Sequence, residues 1–341
     1  RYHGVSYPHL MSRKERNRHM DVLCLGEALI DFVSRERGAT LVTATQYTAA
    51  TGGAPTNVAA GLSKLGRHAR LIATVGDDAF GRKIASDLEA VGVDCALRLD
   101  PEHFTTLAFV KQGAEGDRDF EFSSGAHDFL LPEQVSADTV RQARVLHYGS
   151  ISLRAPISRE TTLNAIQAAK DAGVVCSCDP NWRANLWLDH NAGRAAMIEA
   201  ISHADILKIS ADDLAFVVPN ESDYETALRE AGFSGWLAAV TLGRGGSWYI
   251  NGQRTGQVPS PHVHVIETTG AGDAFTAALL DRLLEHDLDV SALDDAALEQ
   301  IVHRACAAGA LTATGYGAIP SLPDARSIDA LLRMVGVDAG R

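Results

Sequence analysis

Aromatic residues are scarce, at 6% of the 341 positions, and the chain holds only five cysteines. No stretch approaches the ~20 consecutive apolar residues needed to cross a bilayer, so a membrane-spanning helix has no candidate. Basic residues are the scarcer charge. The 31 Lys and Arg stand against 43 Asp and Glu, a formal net charge of -12. A duplex-binding protein shows the opposite balance, which argues against nucleic acid as the main partner. Cys24, Cys95, Cys176, Cys178 and Cys306 have no further Cys or His at metal-ligand spacing. Each sits in an apolar neighbourhood, so they read as buried, reduced thiols, and that implies a cytoplasmic setting. Two nucleotide motifs are missing. There is no G-x-x-x-x-G-K-[ST], and Gly270-x-Gly272 lacks the third glycine of a dinucleotide fingerprint, because Phe275 stands there.

What remains is a globular composition with 46% hydrophobic residues. Apolar runs of strand length lie at residues 22–26, 70–75, 145–148, 174–179, 206–209 and 237–241. Helical periodicity fills residues 55–65, 81–91, 159–172 and 193–202 between them. This rhythm predicts an α/β fold, a doubly wound and mostly parallel sheet with helices on both faces. Residues 32–48 and 105–123 break the pattern as successive short strands without a helix, and predict a small β-lid. The lid projects from a single domain over residues 21–335. Residues 1–20, with five Lys or Arg against one acid, read as a flexible leader, or as sequence ahead of a start at Met11 or Met20. A basic targeting arm is the alternative.

The strongest chemical signal is Thr268-Thr-Gly-Ala-Gly-Asp273, which runs straight into an apolar helix. The glycines there expose several backbone N–H groups, and with the positive potential of a helix start they form an anion hole. Asp273 beside it suits a general base for phosphoryl transfer, although a carboxylate there also complements a helix dipole. Thr51-Gly52-Gly53-Ala-Pro-Thr-Asn57 precedes another helix. Its glycines admit a ligand, and Asn57 donates and accepts at once, which suits a polyol; a tight turn with a buried Asn is the plainer reading. Asp31, in Gly26-Glu-Ala-Leu-Ile-Asp31, is a candidate for vicinal hydroxyls or a solvated loop acid. Thr241-Leu-Gly243-Arg-Gly-Gly246 is a Gly-rich hairpin or a cradle for a nucleotide. Arg183, in Asp179-Pro-Asn-Trp-Arg183, can neutralise phosphate in a fork geometry or lie on the surface.

Taken together, these motifs resemble the ribokinase-like (PfkB) carbohydrate kinases, and the fructokinase branch most. The resemblance runs from about Asp21 to Asp329 and rests chiefly on residues 52–60 and 268–273. It implies an ATP-dependent kinase acting on a primary hydroxyl of a ketose, with fructose ahead of 2-keto-3-deoxygluconate. A nucleoside kinase and a silent sugar-binding regulator are the other readings. Implied roles are Asp273 as base, the 270–272 amides as anion hole and Arg183 against phosphate charge. Asp31, Gly52, Gly53 and Asn57 would hold the sugar. Ser210, Thr241, Gly243, Gly246, Cys306 and Ala310 would hold ATP. Asp213, in Ser210-Ala-Asp-Asp213, stands where the family has the Glu of Asn-x-x-Glu and would serve Mg²⁺. Glu267, Thr269, Thr312, Gly315, Gly317 and Ser321 would hold K⁺, with Glu267 replacing the usual Asp. A homodimer through the lid is also implied. Residues 119–140, after the lid strand, contain no Lys or Arg, which favours a neutral sugar over a keto-acid.

Overall fold

The computed structural model describes residues 19–36, 38–112, 118–221, 223–252 and 254–337. The first strand, β1 (Met20–Leu25), sits inside a nine-stranded sheet. Its partners are β4 (Ala69–Gly76), β5 (Asp94–Asp100), β8 (Ala143–Tyr148), β9 (Val175–Cys178), β10 (Ile206–Ser210), β11 (Leu237–Thr241), β12 (Ser247–Asn251) and β13 (Arg254–Val258). The order is β13-β12-β11-β10-β9-β8-β1-β4-β5, with antiparallel pairing only at β11–β12 and β12–β13.

Alternation along β1 shows why both faces are covered. Val22 and Cys24 enter one hydrophobic core, while Leu23 and Leu25 enter the other. A strand buried on both faces needs apolar residues at every position, which a parallel α/β sheet supplies. On the first face lie α1 (Ala54–Lys64), α2 (Ala79–Ala90), α8 (Ala271–Glu285), α9 (Asp295–Thr312) and α11 (Ala325–Met334). The second face carries α4 (Pro156–Asp171), α5 (His190–Ser202), α6 (Ala211–Val217) and α7 (Tyr224–Glu230). Local chemistry starts these helices where they are needed. The Asp78 carboxylate accepts from the N–H groups of Phe80 and Gly81 at the start of α2. Ser210 caps α6 in the same way.

The lid is a separate four-stranded sheet, ordered β3 (Tyr47–Gly52), β2 (Leu29–Ser34), β6 (Leu107–Gln112), β7 (Arg118–Ser123). Two of its limits differ from the sequence reading. It begins at Leu29 rather than at 32, and β3 extends to Gly52, so Asp31 is a buried strand residue and not a loop acid. The register pairs Asp31 with Ala50 and Leu29 with Gly52. Met20 likewise belongs to β1, at 2% exposure, and not to a leader; residues 1–18 lie outside the described residues. Cys95 on β5 is only half buried, unlike the other four thiols, and all five are unbridged. Among the described residues no helix is long and apolar enough to cross a membrane.

Candidate active site

The carboxyl ends of β1, β8, β9, β10 and β11 all face the same crevice, where an open parallel sheet binds its ligands. The turn before α8 closes that crevice. Gly270 has φ 80, a left-handed value, and a Cβ there would stand 2.7 Å from the Ala318 Cβ. Only glycine fits both demands. Helix α8 then starts at Ala271, whose N–H donates to the Thr268 carbonyl at 3.1 Å, while the next amides of the first turn have no acceptor within the helix itself.

Asp273, in the first turn of α8, is buried at 8% exposure. Its Oδ2 accepts from the Asn57 Nδ2 at 2.8 Å, which joins α8 to α1. Burial pushes its carboxyl up to about 6, helped by the charge of Asp179, while the Asn57 bond, Lys208 and Arg183 pull the other way. Such a group is ionised at neutral pH yet basic enough to accept a proton.

Two cavities meet at this turn. The larger, about 360 Å³, is lined by Thr241, Gly243, Gly246, Ala271, Gly272, Cys306 and Ala310. Gly246 has φ 93, and a Cβ would meet the Val258 carbonyl at 1.9 Å. Burial pushes the Cys306 thiol up to about 12, so it stays a neutral wall residue. Ser210 does not line this cavity; its hydroxyl accepts from the Asp213 N–H at 3.0 Å.

The smaller cavity lies under the lid, lined by Glu27, Asp31, Gly53, Asn57, Arg183, Gly270 and Asp273, with Leu29, Phe122, Ile151 and Asn181. Gly52 is not on its wall. Its missing side chain makes room for Asp31, whose Oδ2 would stand 2.1 Å from a Cβ at Gly52. Glu27 accepts from the Ala54 N–H at 2.8 Å, and burial pushes its carboxyl up to about 7. Gly270 and Asp273 face the small cavity while Ala271 and Gly272 face the large one, so one turn forms a wall of both.

Sequence reasoning missed Lys208. It lies on β10, 6% exposed, with Nζ 2.8 Å from the Asp179 Oδ2. Burial alone would lower its pKa, but Asp179 overrides that and holds the ammonium charged. The same Nζ would stand 2.7 Å from a Cβ at Gly272, so a cation lies directly against the anion-hole turn. The available signal was one Lys inside the apolar run Ile-Leu-Lys208-Ile. Asp213 is close by. Burial and the neighbouring Asp179 raise its pKa, and its Oδ2 accepts from the Trp182 N–H at 3.4 Å.

Behind the turn, Glu267 accepts from the Thr269 hydroxyl and from the Gly317 N–H, the latter at 2.8 Å. Thr312 packs beside Gly270, and a Cβ at Gly315 would meet the Ser321 hydroxyl. The six residues therefore share one region. Among the described residues no three Asp, Glu, His or Cys cluster as a metal cage.

Comparison with known proteins matches these features to a family. The model of the pfkB family carbohydrate kinases matches residues 20–325. The chain is 38% identical over 317 residues to a probable fructokinase-4 of Arabidopsis thaliana, covering 92% of this chain and 96% of that one. It is 40% identical over 311 residues to fructokinase-1 of Oryza sativa subsp. japonica, covering 89% and 94%. Among solved structures, a Xylella fastidiosa fructokinase with bound ATP superposes with a TM-score of 0.83 at 26% identity, covering 93% of this chain and 99% of that one. A Vibrio cholerae fructokinase holding fructose, ADP and a calcium ion gives 0.79 at 30% identity, covering 93% and 100%. With the family model matched over residues 20–325 and curated fructokinases 38% and 40% identical over most of its length, the chain belongs to the pfkB family of carbohydrate kinases.

Proposed function

We propose that this carbohydrate kinase transfers the terminal phosphoryl group of ATP to a primary hydroxyl of fructose. The observation that carries the reading is the shared wall. The turn at residues 270–273 presents Ala271 and Gly272 to the larger cavity, and Gly270 and Asp273 to the smaller. ATP lies along Thr241, Gly243, Gly246, Cys306 and Ala310, with its terminal phosphate at the turn. The sugar lies between Asp31, Asn57 and Gly53. Asp273 takes the proton of the attacking hydroxyl as its oxygen bonds to phosphorus, and the bond to ADP breaks. The amides of 270–272, with Arg183 and Lys208, offset the charge on the transferring group.

Magnesium fits this arrangement through Asp213 and the phosphates. An ion held by one carboxylate, phosphate oxygens and water needs no protein cage. Held there, it would supply positive charge against the phosphates. A K⁺ site behind the turn is supported by the gathering of Glu267, Thr269, Thr312, Gly315, Gly317 and Ser321, although the Glu267 carboxylate already ties Thr269 to Gly317. A lid-mediated homodimer is part of the same reading and rests on the family resemblance alone. The unbridged thiols support a cytoplasmic setting, and the shared cores support one domain over residues 21–335 apart from the lid.

Fructose is preferred to 2-keto-3-deoxygluconate because the small cavity sets three carboxylates, Glu27, Asp31 and Asp273, against one cation, Arg183. An anionic substrate would meet repulsion there without a partner for its own charge. The test is kcat/KM for the two substrates side by side. A tenfold advantage for the keto-acid would overturn the fructose assignment and leave the kinase chemistry standing.

A further inference from the structure

Asn181 lines the small cavity and has no part in the scheme above. Its backbone has φ 52, in the left-handed region that L side chains rarely adopt. The strained residue is pinned on both sides. The Pro180 carbonyl before it accepts from the Ser150 N–H at 3.2 Å and from the Ser150 hydroxyl. After it, the Trp182 N–H donates to Asp213, and the Trp182 ring stacks on Phe216 at 4.0 Å. Between these pins the Asn181 side chain shares the cavity wall with Asp31, Arg183 and Asp273. No hydrogen bond among the described residues involves its carboxamide.

The rest of the wall is short of uncharged donors. An ionised carboxylate such as Asp31 only accepts, and Glu27 is already engaged with the Ala54 N–H. The Asn57 amide already donates to Asp273. A sugar hydroxyl that donates to a carboxylate needs to accept from something else. Asn181 supplies two N–H donors and an acceptor at that wall.

We propose that Asn181 is a specificity-determining residue of the sugar site, whose carboxamide hydrogen-bonds a ketose hydroxyl. The proposal rests on the sugar-kinase reading above. A purely conformational role is the competing explanation, since Asn tolerates the left-handed region better than most residues. Glycine separates the two, because it keeps that backbone at no steric cost and removes the carboxamide.

The experiment compares wild type, Asn181→Gly and Asn181→Asp for melting temperature, for KM of fructose and of ATP, and for kcat/KM on a series of monodeoxyfructoses. Loss of one neutral hydrogen bond predicts a roughly 5–10-fold rise in the fructose KM of Asn181→Gly. The KM for ATP and the melting temperature should hold. Wild type should discriminate against one deoxy analogue, and Asn181→Gly should lose that discrimination at that position alone. Asn181→Asp keeps an acceptor but no donor, and should also show the raised KM. An Asn181→Gly enzyme within twofold of wild type for fructose, or with a raised KM for ATP instead, overturns the proposal. If wild type accepts a different sugar, the fructose assignment fails, and the same comparison is made on the accepted sugar and its deoxy forms.

Discussion

Asp273 sits where burial and a neighbouring carboxylate hold its pKa up to about 6. Asp273→Asn should leave a folded protein that still binds ATP but has lost on the order of 10²–10⁴ in kcat; near-normal turnover would remove it as the base. The same shift sets an acid limb in kcat/KM near pH 6, as the carboxylate protonates. Stability runs the other way. A carboxyl whose folded pKa lies above its unfolded value binds its proton more tightly when folded, so this group favours the fold as pH falls from above 6 towards 4. Melting temperatures of wild type and Asp273→Asn between pH 4 and 8 check the sign: the deficit of wild type relative to the variant should be greatest and constant above the limb and should shrink as pH falls towards 4. Lys208 gives a second test. Removing one member of the buried Lys208–Asp179 pair leaves an uncompensated charge, so Lys208→Met should cost about 3–5 kcal/mol. Lys208→Met with Asp179→Asn should recover part of it in denaturant titrations. Asp273 was legible because glycines around a carboxylate at a helix start have few structural explanations. Lys208 was not, because its role depends on a partner 29 residues away, reached only when β9 and β10 pair.

Among the elements, the lid strand β2 brings Leu29 and Asp31 to the small cavity. Asp31 on β2 faces the small cavity, so Asp31→Ala should raise the fructose KM strongly while sparing that for ATP; a charged hydrogen bond is worth ~1.5–3 kcal/mol. Equal losses in both KM values would instead mark a damaged lid. The sheet rhythm was readable from alternating apolar runs, and the lid from its lack of helices. Its limits were not readable, because only Gly26–Ala28 separates β1 from β2, with no turn composition to mark the change. β5 was missed for a different reason. It is an edge strand, and Asp94, Arg98 and Asp100 break its apolar pattern. α9 was missed because its Ala-rich surface is buried on nearly every side and shows little periodic contrast.

At the scale of the whole molecule, the described structure starts at His19, and β1 at Met20 is already buried. Residues 1–18 carry five Lys or Arg against one acid and offer little apolar surface to bury, so deleting them should change neither melting temperature nor kinetics, and a large loss in either would show that the segment contributes to the fold. Turnover should require Mg²⁺, and K⁺ should stimulate it above a bulky organic cation; equal rates in the two buffers would remove the monovalent site. One feature of the architecture reaches further. β3 of the lid passes through Gly53, at φ 107, directly into α1, and α1 holds Asp273 through Asn57. β3, which pairs with the Asp31-bearing strand β2, is thus continuous in the chain with the helix that bonds Asp273. An unfilled lid leaves that stretch without its load, so water should be a poor substitute for the alcohol. The enzyme should waste little ATP when sugar is absent, and ADP release measured with and without fructose would reveal how tightly fuel use is tied to cargo.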